Sequence, residues 1–314
     1  MPASNYALIV NPHSAHGRTG RDWANLERAF HTELGAVAVF HTENPGHATV
    51  LTRQALHAGY SNVVSIGGDG THFEVLNGFF EGEALINPKA RLGIYPCGSG
   101  NDLARSLGIP LVRRLSPAYL RESPTLMADI GQLEFSTADG QTGHCYFLNS
   151  VHIGIGGMIC ARVNKHGKPW GGFLSYLWHT LIALGRWQDV EMTVTVDEEP
   201  PFQGKVKEII VANGNYDGGG MRISPMAKLD NGQFEVYVVH AMSLLKTLSK
   251  ITILYKGHFE QHPDIVTHFQ ARNRITIDSP APTLLGVDGE SPGYLPASIT
   301  LRPQLLPLIG GPAR

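Results

Sequence analysis

The first 125 or so residues of this 314-residue chain repeat one pattern, and that pattern constrains the fold more than any other feature. Short apolar runs, ALIV, VAVF, VVSI and LGIY, alternate with segments of helical spacing. Trp23, Leu26, Phe30 and Leu34 fall at i, i+3, i+7 and i+11, one face of a helix. Val50, Leu51, Gln54 and Leu56 suggest a second helix, and Phe73, Leu76, Asn77 and Phe80 a third, with Thr71 placed to cap its first turn. Strands alternating with helices imply parallel strands joined by crossovers, hence an open doubly wound sheet. Ligands of such sheets bind past the carboxyl ends of the strands. Three glycine-rich pieces are expected there: NPHSAHGRTG after the first strand, GGDGT after the third and CGSGND after the fourth.

From about Pro124 the pattern changes. TLMADIGQLEF, CYFLNSVHIGI, VEMTVTVD, KEIIVAN, QFEVYVVH, RITIDS and ASITLRP read as strands, mostly joined by short turns, with helical stretches near 173–186 and 243–256. The expected second domain is antiparallel and β-rich, with two packed sheets. The region Pro110–Pro124, with Pro117 between, is the expected junction. A hydrophobic share of 42% and a charged share of 17% suit a chain with a real core, and a net charge of −2 supplies no basic field to recruit nucleic acid. Cys97, Cys145 and Cys160 are scattered and form no C-x-x-C pair, which argues against a zinc site or a disulfide framework and for a reducing cytoplasm. The N-terminus lacks the pattern of a signal peptide. No apolar run reaches the ~20 residues that span a bilayer; FLSYLWHTLIALGRW, at 173–187, is shorter and broken by His179.

The GGDGT loop poses a chemical question. Gly67, Gly68 and Gly70 let successive N–H groups point at one anion, and a helix starting near Thr71 adds its dipole. Asp69 contradicts a bare phosphate site unless it holds Mg²⁺ beside the phosphates, or orients or deprotonates an attacking hydroxyl. The alternative is a tight turn with a self-bonded aspartate. In the first loop, Asn11, Ser14, Arg18 and Arg21 supply an amide, a hydroxyl and two guanidiniums suited to phosphate oxygens, or else a solvated surface. In CGSGNDLAR, Gly98, Ser99 and Gly100 read as a tight turn, with Asn101 and Asp102 as caps of the next helix. His13, His16 and His72 lie near these loops without metal-ligand spacing. Asp288 and Glu290, in GVDGE, read as a polar hairpin tip or as paired carboxylates able to serve a metal or a proton.

Together, GGDGT, GSGNDLAR, GNYDGGGMRISPMAKLDNGQFEVYVV and GVDGE, in that order, resemble the diacylglycerol/sphingosine kinase family, most closely its bacterial soluble lipid kinases. The resemblance implies an α/β plus β fold: an N-terminal doubly wound α/β nucleotide-binding domain, 1–124, completed by the tail 303–314, then a β-sandwich-like lipid-binding domain, 125–302. It implies ATP in the cleft between them, contacted at Asn11, Pro12, Ser14, Thr42, Gly67 through Thr71 and Ser99. Gly98, Asn101, Asp102 and Arg18 belong to the same loops. It implies Glu290 as proton acceptor with Asp288 beside it, and Asp69 as the residue positioning Mg²⁺ and the γ-phosphate. Two departures stand out. Ala15 replaces a glycine usual in the first loop, and Asn231 replaces the aspartate of a structural Mg²⁺ turn whose flanking ligands would be Lys228 and Gln233.

A lipid kinase without a membrane span is expected to be cytoplasmic and to visit the inner face of the membrane transiently. Trp170, Trp178 and Trp187, with Phe173, Leu174, Leu177, Leu181 and Leu184, could meet that interface, although a helix covering the second domain's sheet explains the same spacing and is favoured. The competing readings are an NAD kinase-like enzyme with a soluble acceptor and a catalytically silent nucleotide- or lipid-binding regulator. A nicotinamide dehydrogenase is disfavoured because GGDGT is not G-x-G-x-x-G.

Overall fold

The computed structural model describes residues 5–112, 115–167, 172–257 and 259–311. The chain divides into two units, 1–128 with 304–314, and 129–303. The first division falls within a strand, Thr125–Ser136, downstream of the proline-bounded segment.

The first unit follows the alternation of its sequence. Its elements are β1 (Tyr6–Val10), α1 (Ser14–Leu34), β2 (Val37–His41), α2 (His47–His57), β3 (Asn62–Gly67), α3 (Asp69–Gly78), a small hairpin β4 (Phe80–Glu81) and β5 (Ala84–Leu85), β6 (Arg91–Pro96), α4 (Asp102–Ser106) and α5 (Tyr119–Glu122). β2, β1, β3 and β6 are adjacent in that order and all parallel. The end of the C-terminal strand pairs in parallel with β6, Leu308 opposite Leu92. Every residue of β1 and β3 is buried, as expected of strands covered on both faces. From β1 the chain goes to β2 on one side and then to β3 on the other. The β1/β3 boundary is therefore a topological switch point, where a crevice opens past the strand ends. Asn11 and Gly68 follow those two strands directly.

The second unit contains most of β7 (Thr125–Ser136), then β8 (Thr142–Phe147), β9 (Ser150–Gly154), α6 (Ile155–His166), α7 (Gly172–Arg186), β10 (Val190–Val196), β11 (Phe202–Ala212), β12 (Phe234–His240), α8 (Leu244–Lys256), a 3₁₀ turn (Phe259–Gln261), β13 (Val266–Ala271), β14 (Arg274–Asp278), β15 (Leu284–Val287) and β16 (Glu290–Ile309) up to residue 303. Six strands pair antiparallel in a closed cycle, β9–β11–β10–β14–β16–β15 and back to β9. Closure is possible because β11 changes partner along its length. Residues up to Val206 face β10, residues from Glu208 face β9, and the register with β12 shifts between those two positions. A cycle has no free edge, so these strands offer no template for aggregation. β12 and β13 extend from the other side of β11. Ile210, Tyr237 and Val239 pack there against Ile223, Phe259 and Ile265.

Candidate active site

The site residues of the first unit lie just past the ends of β1, β2, β3 and β6, in four loops tied together by hydrogen bonds. Asn11 Nδ2 donates to Thr71 Oγ1 at 3.0 Å, and Asn11 Oδ1 accepts from the His13 N–H at 2.9 Å. Ser14 Oγ donates to the Asn11 carbonyl at 3.0 Å and lies 2.5 Å from Thr19 Oγ1. Gly68 and Gly98 meet backbone to backbone: a Cβ on Gly98 would lie 2.4 Å from the Gly68 Cα. Thr42, buried, donates its N–H to the Val10 carbonyl at 2.8 Å. Arg18 and Ser99 are exposed, and Pro12 and Gly70 are half-buried.

The carboxylate of Asp69 faces the start of α4. It accepts the N–H groups of Asn101 (2.8 Å), Asp102 (2.9 Å) and Leu103 (3.3 Å). The charge within the glycine loop is thus stabilised by the unpaired donors of a helix start about thirty positions downstream. Two expectations are corrected here. Thr71 does not cap α3, which begins at Asp69; its hydroxyl accepts from Asn11. Asn101 does not cap α4 through its side chain, which is closed in a ring with Gly98 (Nδ2 to the carbonyl at 3.0 Å, N–H to Oδ1 at 2.9 Å), leaving capping to Asp69. Asp69 and Asp102 also flank one spot. A Cβ on Gly100 would stand 2.6 Å from Asp69 Oδ2 and 3.5 Å from Asp102 Oδ2. Two carboxylates around a glycine-cleared point are the donor set a nucleotide-borne Mg²⁺ uses, since it takes one or two carboxylates and completes its shell with phosphates and water. Those residues fit the ion. Among the described residues no group of three or more His, Cys, Asp or Glu gathers for a metal.

In the second unit Asp288 and Gly289 form the two-residue turn between β15 and β16, with φ 47° and 86°, and Val287 pairs with Glu290. The turn is not a solvated tip. Asp288 is buried and accepts three N–H groups, from Leu148 (3.0 Å), Asn149 and Ser150 (both 2.9 Å). Burial pushes its carboxyl up to about 7 in spite of those donors, with the nearby Asp217 adding to the rise. Glu290 is half-buried, and its Oε2 accepts from Asn164 Nδ2 of α6 at 2.8 Å.

A second charged group was not foreseen. His152 on β9 bridges Glu208 (Nδ1 to Oε1, 2.8 Å) and Asp217 (Nε2 to Oδ2, 2.8 Å). Asp217 also accepts from Ser150 Oγ and from the Gly218 N–H. Burial alone would lower the His152 pKa, but the Asp217 and Glu208 carboxylates outweigh it and raise it to about 10, so the ring is a cation. The three positions are far apart in sequence. Register makes the first two neighbours, since Ile210 opposes His152 and Glu208 is its diagonal partner, and the segment after β11 brings in Asp217. These side chains form one wall of a cavity of about 90 Å³, otherwise lined by residues such as Ile159, Met221 and Phe259. A smaller cavity of about 50 Å³ shares Ile159, Thr180, Glu208 and Phe259 with it. Tyr176 of α7 also lines the larger cavity, and its hydroxyl lies 3.7 Å from where a Cβ on Gly289 would sit.

α7 packs one face toward α6 and leaves the other outside. Tyr176, His179 and Ala183 are buried, whereas Leu174, Trp178 and Leu181 are exposed, at i, i+4 and i+7. Trp187 is half-buried, and Trp170 lies outside the described residues. In the turn at 228–233 the Asn231 amide meets the Lys228 and Gln233 carbonyls; assigned from those partners with its nitrogen toward them, it would satisfy both without a cation.

Comparison with known proteins adds to this geometry. Residues 5–133 match the family profile described as the diacylglycerol kinase catalytic domain, and residues 149–310 match the YegS C-terminal NAD kinase beta sandwich-like domain. A protein named diacylglycerol kinase from Staphylococcus haemolyticus is 30% identical over 87% of this chain and 77% of its own length. One of the same name from Staphylococcus aureus is 29% identical over 93% and 87%. A crystal structure described as a putative diacylglycerol kinase from Bacillus anthracis superposes with a TM-score of 0.78 at 22% identity, covering 99% of each chain. Yeast NADH kinase shares the fold more distantly, with a TM-score of 0.51 at 9% identity over 100% of this chain and 88% of its own.

Proposed function

We propose, for a chain that belongs to the diacylglycerol kinase family and to its bacterial soluble branch, that it transfers the γ-phosphoryl group of ATP to the hydroxyl of diacylglycerol or a related lipid. The observation that carries the lipid reading lies within the second unit. The turn bearing Glu290 abuts Tyr176, which also lines a cavity that is apolar apart from its wall of His152, Glu208 and Asp217. A soluble dinucleotide acceptor, as in an NAD kinase-like enzyme, has no use for such a lining.

In this reading the nucleotide phosphates lie on the N–H groups of Gly68–Gly70 and the loop of Asn11–Ser14, with Ser99 and Arg18 adding a hydroxyl and a guanidinium. Asp69 and Asp102 would hold Mg²⁺, which neutralises charge on the phosphate oxygens. Glu290 accepts the proton of the lipid hydroxyl. The freed oxygen bonds to the γ-phosphorus, the bond to the β–γ bridging oxygen breaks, and ADP leaves. Such transfer is mainly positioning and charge neutralisation, so few side chains are needed. Asp288 is a positioning residue whose three N–H bonds fix the turn that presents Glu290.

The acceptor is met at an anionic membrane surface. α6, α7 and α8 contain no Asp or Glu, while Arg162, Lys165, Arg186, Lys246 and Lys250 are among their residues. Leu174, Trp178 and Leu181 of α7 and Leu244, Leu245 and Leu248 of α8 are exposed. Apolar and basic side chains without acidic ones suit transient contact with anionic lipid. No helix among the described residues is long and apolar enough to cross a membrane.

One experiment tests both parts: labelled phosphoryl transfer from ATP to diacylglycerol in neutral and in anionic vesicles, with NAD as a parallel acceptor. Lipid product, formed faster on anionic vesicles and slowed severalfold by Leu181→Asp on vesicles alone, is expected. Transfer to NAD without lipid product would overturn the proposal.

A further inference from the structure

We infer that the Asn231 side chain takes the place of a divalent cation in the turn from Lys228 to Gln233, so that the second unit folds without a structural metal. The chain reverses there around Gly232, at φ 70°, and the reversal turns the Lys228 and Gln233 carbonyl oxygens toward one point. Two converging carbonyls repel unless something positive sits between them. A cation can do this, and so can a group with two N–H bonds in a fixed fork. The Asn231 amide is such a fork. Assigned with its nitrogen toward the two carbonyls, the amide reaches the Lys228 oxygen at 3.0 Å and the Gln233 oxygen at 3.1 Å, and both N–H bonds are used. The orientation follows from these partners. The opposite one would set the amide oxygen against both carbonyls, with only the Gln233 N–H, 3.3 Å away, to offset them.

The rest of the turn is held by the chain itself. The Gly232 N–H donates to Asp129 Oδ2 at 2.6 Å, and the Asp129 N–H donates to the Leu229 carbonyl at 2.6 Å. Asp129 is fully buried in β7, so these bonds anchor the reversal to the sheet. A carboxylate at 231 would behave in the opposite way. It has no N–H, and it would place negative charge beside two carbonyl oxygens, an arrangement that only a cation relieves. Asparagine or aspartate at this one position therefore decides whether the turn requires a metal.

The test uses the full chain without nucleotide or lipid, so its outcome is independent of the proposed kinase activity. Thermal midpoints are measured in EDTA and in millimolar magnesium, with calorimetric titration of magnesium chloride, for wild type, Asn231→Asp and Asn231→Ala. The wild-type midpoint is expected to be the same in both conditions. Asn231→Asp is expected to melt lower in EDTA, to recover in magnesium and to gain a saturable magnesium heat. Asn231→Ala should melt lower by the same amount in both. Should Asn231→Asp fold only in magnesium and unfold on chelation, that too is the expected dependence. A wild-type midpoint that falls on chelation, or an Asn231→Asp midpoint indifferent to magnesium, would overturn the inference.

Discussion

Ala15 is one of the non-glycine residues that this backbone holds at positive φ. It lies at φ 48°, followed by His16 at 59° and Gly17 at 76°, three left-handed residues in a row before the regular part of α1. Only the third is a glycine. A Cβ at such a φ costs about 1–2 kcal/mol, so Ala15→Gly is expected to stabilise the protein by about 1 kcal/mol in urea denaturation. The gain is limited because glycine also adds freedom to the unfolded chain. Asp69 teaches a related lesson. Its place in the glycine loop was readable, but its partners were not, because a cap supplied from more than thirty residues away leaves no local signature. Asn231 was legible as a departure from a family pattern; that the Lys228 and Gln233 carbonyls both converge on its amide follows only from the folded turn.

Among the elements, short apolar runs marked the buried strands of the first unit, and apolar spacing marked helices with one buried face. β1, β2, β3 and β6, the long helices α7 and α8, and most strands of the second unit were readable. α6, β13 and β15 were not. Ile155–His166 opens with two glycines, which weaken a helical reading, and HFQ within Val266–Ala271 hides the alternation. The charged trio of His152, Glu208 and Asp217 depends on the β9–β11 register and on the path of the chain after β11, which sequence spacing does not supply. It carries a pH prediction. The His152 pKa in the folded protein is about 10, against 6.5 for an ordinary histidine. A group raised in this way adds stability that is full below 6.5 and is lost as pH rises through 10. Asp288, raised from 3.8 to about 7, also favours the acid side, with its loss falling between those values. Unfolding free energy should therefore decline from pH 7 to 10, and the decline should largely vanish in His152→Gln. That variant is also expected to lose about 3–5 kcal/mol at neutral pH, since two buried carboxylates are left without their cation.

At the scale of the whole molecule, the order of pattern types along the chain was informative: alternating strands and helices, then strands. The closed cycle of six strands was beyond reach, because it requires β11 and β16 each to change partner midway. In the proposed reaction Glu290 takes a proton from a lipid hydroxyl while ATP supplies the phosphoryl group. The most direct measurement is steady-state phosphoryl transfer to diacylglycerol by wild type and Glu290→Gln, together with ATP affinity for each. A fall in kcat of about 10²–10⁴-fold, with the Kd for ATP unchanged, is the expected result. An undiminished kcat in Glu290→Gln would contradict it.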